Sequence, residues 1–177
     1  HLRLEPKVFS GDPLEYQGWK EDFDLVYGNT SLDDRYKYMA LRKLLSGDAL
    51  KALAGVSLDA SGYPDALQKL NSSFGTVMGV CGTAAQYLAH LPRLTPSSNL
   101  KDFSEKISRI HVALSGYPKE QAFDAVLLGL LEDILDEDLR IQWNTYLEDK
   151  TLVPTPKRLV DFIASYANIR EKAKAKK

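Results

Sequence analysis

The sequence has a single cysteine, Cys81, and three histidines in 177 residues. One cysteine cannot form an internal disulfide, and so few scattered donors do not match the spacing of a zinc site. This composition favours a reducing, cytoplasmic setting. No stretch approaches the roughly 20 apolar residues of a membrane span. We therefore expect neither a disulfide scaffold, nor a zinc domain, nor a membrane protein.

An excess of charge of either sign is also missing, since 23 Lys and Arg residues face 24 Asp and Glu residues. Non-specific affinity for nucleic acid grows with the number of phosphates neutralised, so the folded surface is a poor RNA-binding or DNA-binding candidate. The folded part is mildly acidic, and a surplus of basic residues lies in the C-terminal tail. The candidate nucleic-acid contacts are therefore Arg170, Lys172, Lys174, Lys176 and Lys177. A solvated helix end is the alternative interpretation of this tail.

Motifs for catalysis are absent as well. There is no Gly-rich phosphate loop and no Gly-x-Ser-x-Gly elbow. Cys81 with His90 or His111 could form a thiol and base pair, but the small residues around Cys81 favour a buried structural thiol. The acidic cluster at residues 132–138 lacks the spacing of a calcium loop. We predict no catalytic residue, no cofactor, no metal site and no small-molecule substrate.

Apolar residues recur at helical spacing along the whole chain, without the alternation typical of strands. Pro13, Pro64, Pro118 and Pro156 each stand where a helix would begin, a position that tolerates the missing N–H. Asp12 precedes Pro13 as a candidate N-cap. The predicted helices cover residues 13–27, 32–45, 48–54, 64–74, 80–91, 100–114, 118–135, 138–149 and 156–172.

The stretch at residues 92–98 is rich in Pro and Ser and has no periodicity, so it is the best candidate linker. The predicted fold class is therefore all-α, with two small helical domains of about five helices and then four. The predicted domains are residues 1–94 and residues 95–177, the second including the basic tail.

Several motifs together resemble the capsid region of a Gag polyprotein from a BEL/Pao-type LTR retrotransposon. The first is Pro6-Lys-Val-Phe-Ser-Gly-Asp-Pro-Leu-Glu-Tyr-Gln-Gly-Trp19, and the second is Leu41-Arg-Lys-Leu-Leu-Ser-Gly-Asp-Ala49. Shorter matches follow around Ala66-Leu67 and Phe74-Gly75, at residues 98–103 and at residues 137–143. The resemblance covers roughly residues 4–168.

This resemblance implies a retroviral capsid-like protein that polymerises into a shell around the RNA of the element. It implies self-association into dimers, rings and virus-like particles in the cytoplasm. RNA would be reached indirectly, through the basic tail or a downstream nucleocapsid region. The zinc knuckle and the aspartic protease motif of such polyproteins do not occur in this sequence, and we expect them downstream. The alternative hypothesis is a domesticated Gag-derived host protein that acts as an adaptor or an RNA-transport capsid.

The helix predicted at residues 118–135 is apolar beyond one face. We expect the inward stripe to consist of Phe123, Val126, Leu127, Leu130, Leu131 and Ile134. Leu128 and Leu135 then fall about 100° from its centre. The second helix of the C-terminal domain carries the dimer contact in the capsids that the chain resembles, so Leu128 and Leu135 are predicted oligomer contacts. A helix buried on all sides is the alternative.

Three further contact candidates lie in the first half of the chain. Leu25 is opposite the aromatic face of the first helix, and Met39 and Lys43 lie away from the buried face of the second. The first helices line the ring contacts in related capsids, so the resemblance makes these residues candidates.

Overall fold

The computed structural model of the protein describes residues 5–176 and is 72% helical. Within that range the only strand-like pairing is one parallel bridge between Phe9 and Leu45. The predicted all-α class and the order of helices before and after the linker are confirmed. The helices are α1 (Pro13–Phe23), α2 (Asp34–Lys43), α3 (Gly47–Lys51), α4 (Tyr63–Phe74), α5 (Val77–Ala89), α6 (Leu100–Ser115), α7 (Lys119–Asp133), α8 (Glu137–Lys150) and α9 (Pro156–Ala175).

Most helices begin at the predicted signals. Pro13, Pro64 and Pro156 occupy the first or second position of α1, α4 and α9. Pro118 is instead the N-cap of α7, so that helix starts one residue later than predicted. The helix α5 starts at Val77, three residues early, because the Thr76 hydroxyl accepts a hydrogen bond from the third helical N–H.

The first hydrophobic core lies among α1 to α4 and is centred on Phe9. The Phe9 ring lies 5.5 Å from the Tyr16 ring, 5.3 Å from the Trp19 ring and 5.3 Å from the Phe74 ring, measured between centroids. All four side chains are buried. Aromatic pairs at such separations stabilise a core beyond the area that they bury. Phe9 therefore joins the N-terminal segment to α1 and α4.

The two long motifs of the sequence contact each other through their backbones. The Phe9 N–H donates to the Leu44 carbonyl at 2.8 Å, and the Ser46 N–H donates to the Phe9 carbonyl at 2.9 Å. Gly11 and Gly47 have φ values of +125° and +51°, which a side chain would strain. A Cβ on Gly11 would also lie 3.2 Å from the Asp48 Cβ. The motif residues therefore form a structural clasp between the N-terminal segment and the start of α3.

The second core lies among α7, α8 and α9. Leu128, Trp143 and Leu159 are its fully buried members, one from each helix. The indole N–H of Trp143 donates to the Glu132 carboxylate at 3.0 Å, so its polar atom is satisfied. The Phe162 ring lies 5.5 Å from the Trp143 ring. These contacts tie α9 to α7 and α8.

The helix α5 packs against α7, which lies on the other side of the linker. The two backbones meet at Gly82 and Gly129, where a Cβ built on Gly129 would lie 2.7 Å from the Gly82 Cα. The Gln86 side chain donates to the Gly129 carbonyl at 3.2 Å across the same crossing. Cys81, Ala122 and Ala125 fill the space beside the glycines. Small residues on both helices therefore allow an unusually close backbone approach.

The loop between α5 and α6 contains the predicted domain boundary at residues 94 and 95. Contacts cross this boundary at the α5–α7 crossing and also between α1 and α6. The division into two separately folding domains stays a prediction.

The two glycines of the crossing should respond differently to substitution. Gly129→Ala places its Cβ against the Gly82 backbone, and we expect the free energy of unfolding to fall by about 1–3 kcal/mol, as in other overpacked cores. Gly82→Ala is the matched control, because its Cβ would meet nothing closer than 3.6 Å. It should leave stability unchanged or raise it by up to about 1 kcal/mol through helix propensity. Urea denaturation of both variants measures the difference, and equal effects would contradict the close crossing.

Candidate protein interface

The helix α7 has one face made of small residues and one made of large apolar residues. Its buried positions include Ala122, Ala125, Leu128 and Gly129. At 100° per residue, a second set falls on the opposite side of the helix. This set is named the α7 stripe and consists of Phe123, Leu127, Leu130 and Ile134.

The α7 stripe is exposed to solvent along its whole length. The relative exposures are 66% for Phe123, 36% for Leu127, 39% for Leu130 and 77% for Ile134. A helix that is apolar on all sides is normally buried on all sides. Contiguous exposed apolar side chains mark association sites. The stripe is therefore the strongest candidate for a contact with another protein surface.

The predicted positions of Leu128 and Leu135 on the surface are wrong. Leu128 is fully buried and Leu135 is 8% exposed. The expected inward stripe is also wrong for Phe123, Leu127, Leu130 and Ile134, which face solvent. The close approach of α5 explains the reversal, because only Ala and Gly fit between two backbones that nearly touch. The sequence signal that could have shown this is the row of small residues Ala122, Ala125 and Gly129 at helical spacing.

Leu25, Met39 and Lys43 lie on the surface, as their sequence positions suggested. Leu25 is 80% exposed on the π-helical turn Asp24–Gly28 that continues α1. Met39 is 55% exposed on α2, and Lys43 is exposed at the end of the same helix. Their role as oligomer contacts stays a prediction.

The predicted basic tail divides into two parts. The Arg170 guanidinium lies 2.9 Å from the Asp136 carboxylate and 3.3 Å from the Asp138 carboxylate. It also lies 5.7 Å from the centre of the Tyr166 ring. Arg170 therefore fastens α9 to the start of α8 and is engaged within the protein. Lys172, Lys174 and Lys176 are exposed, and Lys177 lies outside the described residues.

The acidic cluster at residues 132–138 has structural partners. Asp136 is the N-cap of α8, with its carboxylate accepting from the Leu139 N–H at 2.8 Å. This hydrogen bond, and then the Arg170 guanidinium, lower the pKa of the Asp136 carboxyl. Glu132 accepts from Trp143, and Asp133 lies 2.8 Å from His90. No group of three or more potential metal ligands occurs within residues 5–176.

Cys81 is fully buried between α5 and α7, and burial raises the pKa of its thiol. A raised pKa leaves less of the reactive thiolate at neutral pH. His90 and His111 both lie on the surface. None of the helices in the described part of the chain is long and apolar enough to cross a membrane.

In the described part of the chain the fold is all-helical, and the α7 stripe is an uncovered apolar helix face. The chain belongs to the family described as "Protein of unknown function (DUF1759)", whose model matches residues 9–151. This family is found in the Gag and polyprotein regions of retrotransposons. No curated protein and no solved structure matches the chain.

The ion pair between Arg170 of α9 and Asp136 at the start of α8 should make the free energy of unfolding depend on pH. The Asp136 pKa is lower in the folded protein than in the unfolded chain, so its contribution is present above about pH 4 and is lost as the pH falls further. Asp136→Asn keeps a good N-cap but removes the charge. We expect the stability difference between wild type and variant to be largest near pH 7 and to vanish towards pH 2. Urea titrations over that pH range test this.

Asp149→Asn is the control, since Asp149 is exposed near the end of α8 and has no ion pair with the described residues. It should change stability little at any pH. A difference for Asp136→Asn that is the same at pH 7 and pH 2 would mean that the carboxylate charge does not hold α9 in place.

Proposed function

We propose that this protein is a structural capsid protein of a BEL/Pao-type retrotransposon, which self-assembles in the cytoplasm into a shell that packages RNA. The observation that carries the proposal is the α7 stripe. Membership of a family found in Gag and polyprotein regions supports it. The all-helical fold agrees with the resemblance to retroviral capsids. The two sequence motifs that favour the BEL/Pao type form the clasp within the first core.

The spacing of the α7 stripe suits a contact between two identical helices. Its members are separated by four, three and four residues, so the pattern is the same in both directions. A two-fold axis that crosses α7 between Leu128 and Gly129 therefore places Phe123 opposite Ile134 of the second copy and Leu127 opposite Leu130. Such a contact is isologous, because the same patch serves both subunits. The stripe is thus complementary to itself when the two helices run antiparallel.

Shell formation requires further contacts around each dimer. Many weak, repeated contacts stabilise a closed assembly without any tight interface, because each new contact is effectively intramolecular. In this proposal the chain acts without catalysis, and RNA is bound by the exposed lysines after Arg170 or by a downstream nucleocapsid region. Lys172, Lys174 and Lys176 are available for phosphate contacts.

Substituting the stripe should separate association from folding. Phe123→Asp puts a charge into the apolar contact but lies at an exposed position, so we expect the dimer to dissociate at high salt, while the helical circular dichroism signal and the unfolding midpoint of the monomer stay unchanged. Leu128→Asp is the adjacent buried control. It leaves an unpaired charge in the second core, and we expect it to lower stability by several kcal/mol. Sedimentation velocity and thermal unfolding measure both effects. A Phe123→Asp variant that dimerises like the wild type at high salt would rule out the α7 contact.

The antiparallel register has its own test. Phe123→Lys and Ile134→Glu should each weaken the dimer, because each leaves a charge opposite an apolar side chain. Both changes in one chain place Lys opposite Glu twice across the two-fold axis. We expect the double variant to dimerise better than either single variant. If the double variant is weaker than both, the two helices do not meet in this register.

Electron microscopy of the purified protein tests the shell directly. We expect particles at high protein concentration, with RNA present, over a range of salt concentrations. The Phe123→Asp variant should form no particles. Monomers at every protein concentration, with the basic tail present, would overturn the capsid proposal.

A further inference from the structure

A wide groove runs between α1 and α6 and is separate from the α7 stripe. Its volume is about 930 Å³, and the N-terminal segment forms one of its walls. The exposed apolar side chains in it are Val8, Leu25 and Val112, with relative exposures of 55%, 80% and 67%. The groove is therefore an apolar surface that the described part of the chain leaves uncovered.

The rim of this groove is acidic. Its carboxylates belong to Glu5, Glu15, Glu21 and Asp22, and its basic side chains are Lys7 and Arg109. Arg109 is already engaged, since its guanidinium lies 3.4 Å from Asp12 and 3.5 Å from Glu15. Glu21 and Asp22 are exposed and have no ion pair within residues 5–176. The groove thus offers unpaired negative charge beside apolar side chains.

The exposed face of α2 has the opposite charge. Arg35, Met39 and Lys43 follow one another at intervals of four residues and are all exposed. Arg42 lies beside them, with its guanidinium 5.7 Å from the centre of the Tyr38 ring. Asp34 is the one carboxylate of α2, and it falls about 140° from Met39 around the helix. This face therefore presents an apolar centre between unpaired positive charges.

We infer that the exposed α2 face of one copy docks into the α1–α6 groove of the next copy. Met39 meets the exposed apolar side chains of Leu25 and Val112, while Arg35 and Lys43 approach Glu21 and Asp22. Complementary charge of this kind selects the partner and fixes its orientation. The inference rests on the proposed self-assembly and names a second contact for it.

This second contact joins two different surfaces, so it is heterologous. Within residues 5–176 no α2 side chain lines the groove, so the two surfaces share no residue and each can contact a different copy in this proposal. Repeated heterologous contacts produce rings when the rotation closes. The α7 contact pairs copies, and the α2–groove contact links them in series. Together the two contacts can extend in more than one direction, as a shell requires.

The contact is tested by charge reversal in a chain that also carries Phe123→Asp, which removes the α7 dimer. This chain with Phe123→Asp alone is called the background chain. Glu21→Lys with Asp22→Lys should weaken association about tenfold or more, because like charges then face each other. Arg35→Glu with Lys43→Glu should do the same. All four changes in one chain restore opposite charges, and we expect association to return. Sedimentation equilibrium at low salt measures the self-association of each chain, and circular dichroism shows whether each chain is folded.

Three control chains carry the same changes in net charge elsewhere. Glu148→Lys with Asp149→Lys matches the groove variant, and Lys172→Glu with Lys174→Glu matches the α2 variant. The α2 variant is also matched by Arg93→Glu with Lys101→Glu, which reverses two exposed basic residues outside the tail. This control and the Glu148→Lys, Asp149→Lys control should associate like the background chain. The inference is overturned if the background chain is monomeric at all concentrations, if these two controls weaken association as much as the variants, or if the four changes together restore nothing. Should the quadruple variant not fold, Asp22→Lys with Lys43→Glu repeats the exchange with two changes.

Salt distinguishes a failure of this inference from a failure of the proposed function. The α2–groove contact depends on exposed charges and should weaken as salt rises. The α7 contact is apolar and should persist, or strengthen in sulfate. Wild-type dimers that survive high salt, with a monomeric background chain at low salt, would leave the capsid proposal standing and remove only the α2–groove contact.

Discussion

The close approach of Gly82 and Gly129 determines how the two halves of this chain fit together. Two helix backbones that nearly touch leave space only for hydrogen, methyl and small thiol groups between them, which is why Cys81, Ala122 and Ala125 surround the crossing. Once that face of α7 is occupied by α5, and the adjacent Leu128 side by Trp143 and Leu159, the remaining face has no neighbour among residues 5–176. The exposed α7 stripe is therefore a consequence of the glycine contact.

This order of cause and effect explains which features could be predicted from the sequence. Helix starts depend on neighbours within a turn, so Pro13, Pro64 and Asp12 were sufficient to place them. The residues of the first core could also be predicted from the sequence, since the aromatic residues of α1 share one face. Periodicity alone could not predict which side of α7 faces the core, because that helix is apolar on both sides. Hydrophobicity favours burying the larger side chains, but the partner helix selected the smaller ones.

Arg170 shows that the charge of a residue does not by itself predict its binding partner. The sequence places it with the lysines of the tail, and its charge alone suggests a phosphate contact. Its position one turn after Tyr166 instead brings it over the start of α8, where the N-cap carboxylate of Asp136 and the nearby Asp138 lie. The family match ends at residue 151, yet α9 contributes Leu159 and Phe162 to the second core. Helix α9 therefore packs into the fold up to Arg170, and the exposed lysines of the tail lie beyond that residue.

The family motifs and the candidate contact surfaces lie in different places, and this separation has a physical reason. Phe9, Gly11 and Gly47 are needed for one backbone arrangement, which permits few substitutions. The α7 stripe and the α2 face need only apolar character or charge at positions that the fold leaves exposed, so many residues could serve there. Motifs of the first kind identify the fold, whereas surfaces of the second kind can differ between chains that share it. The partner of such a surface must therefore be derived from its geometry, as the symmetric spacing of the α7 stripe allows here.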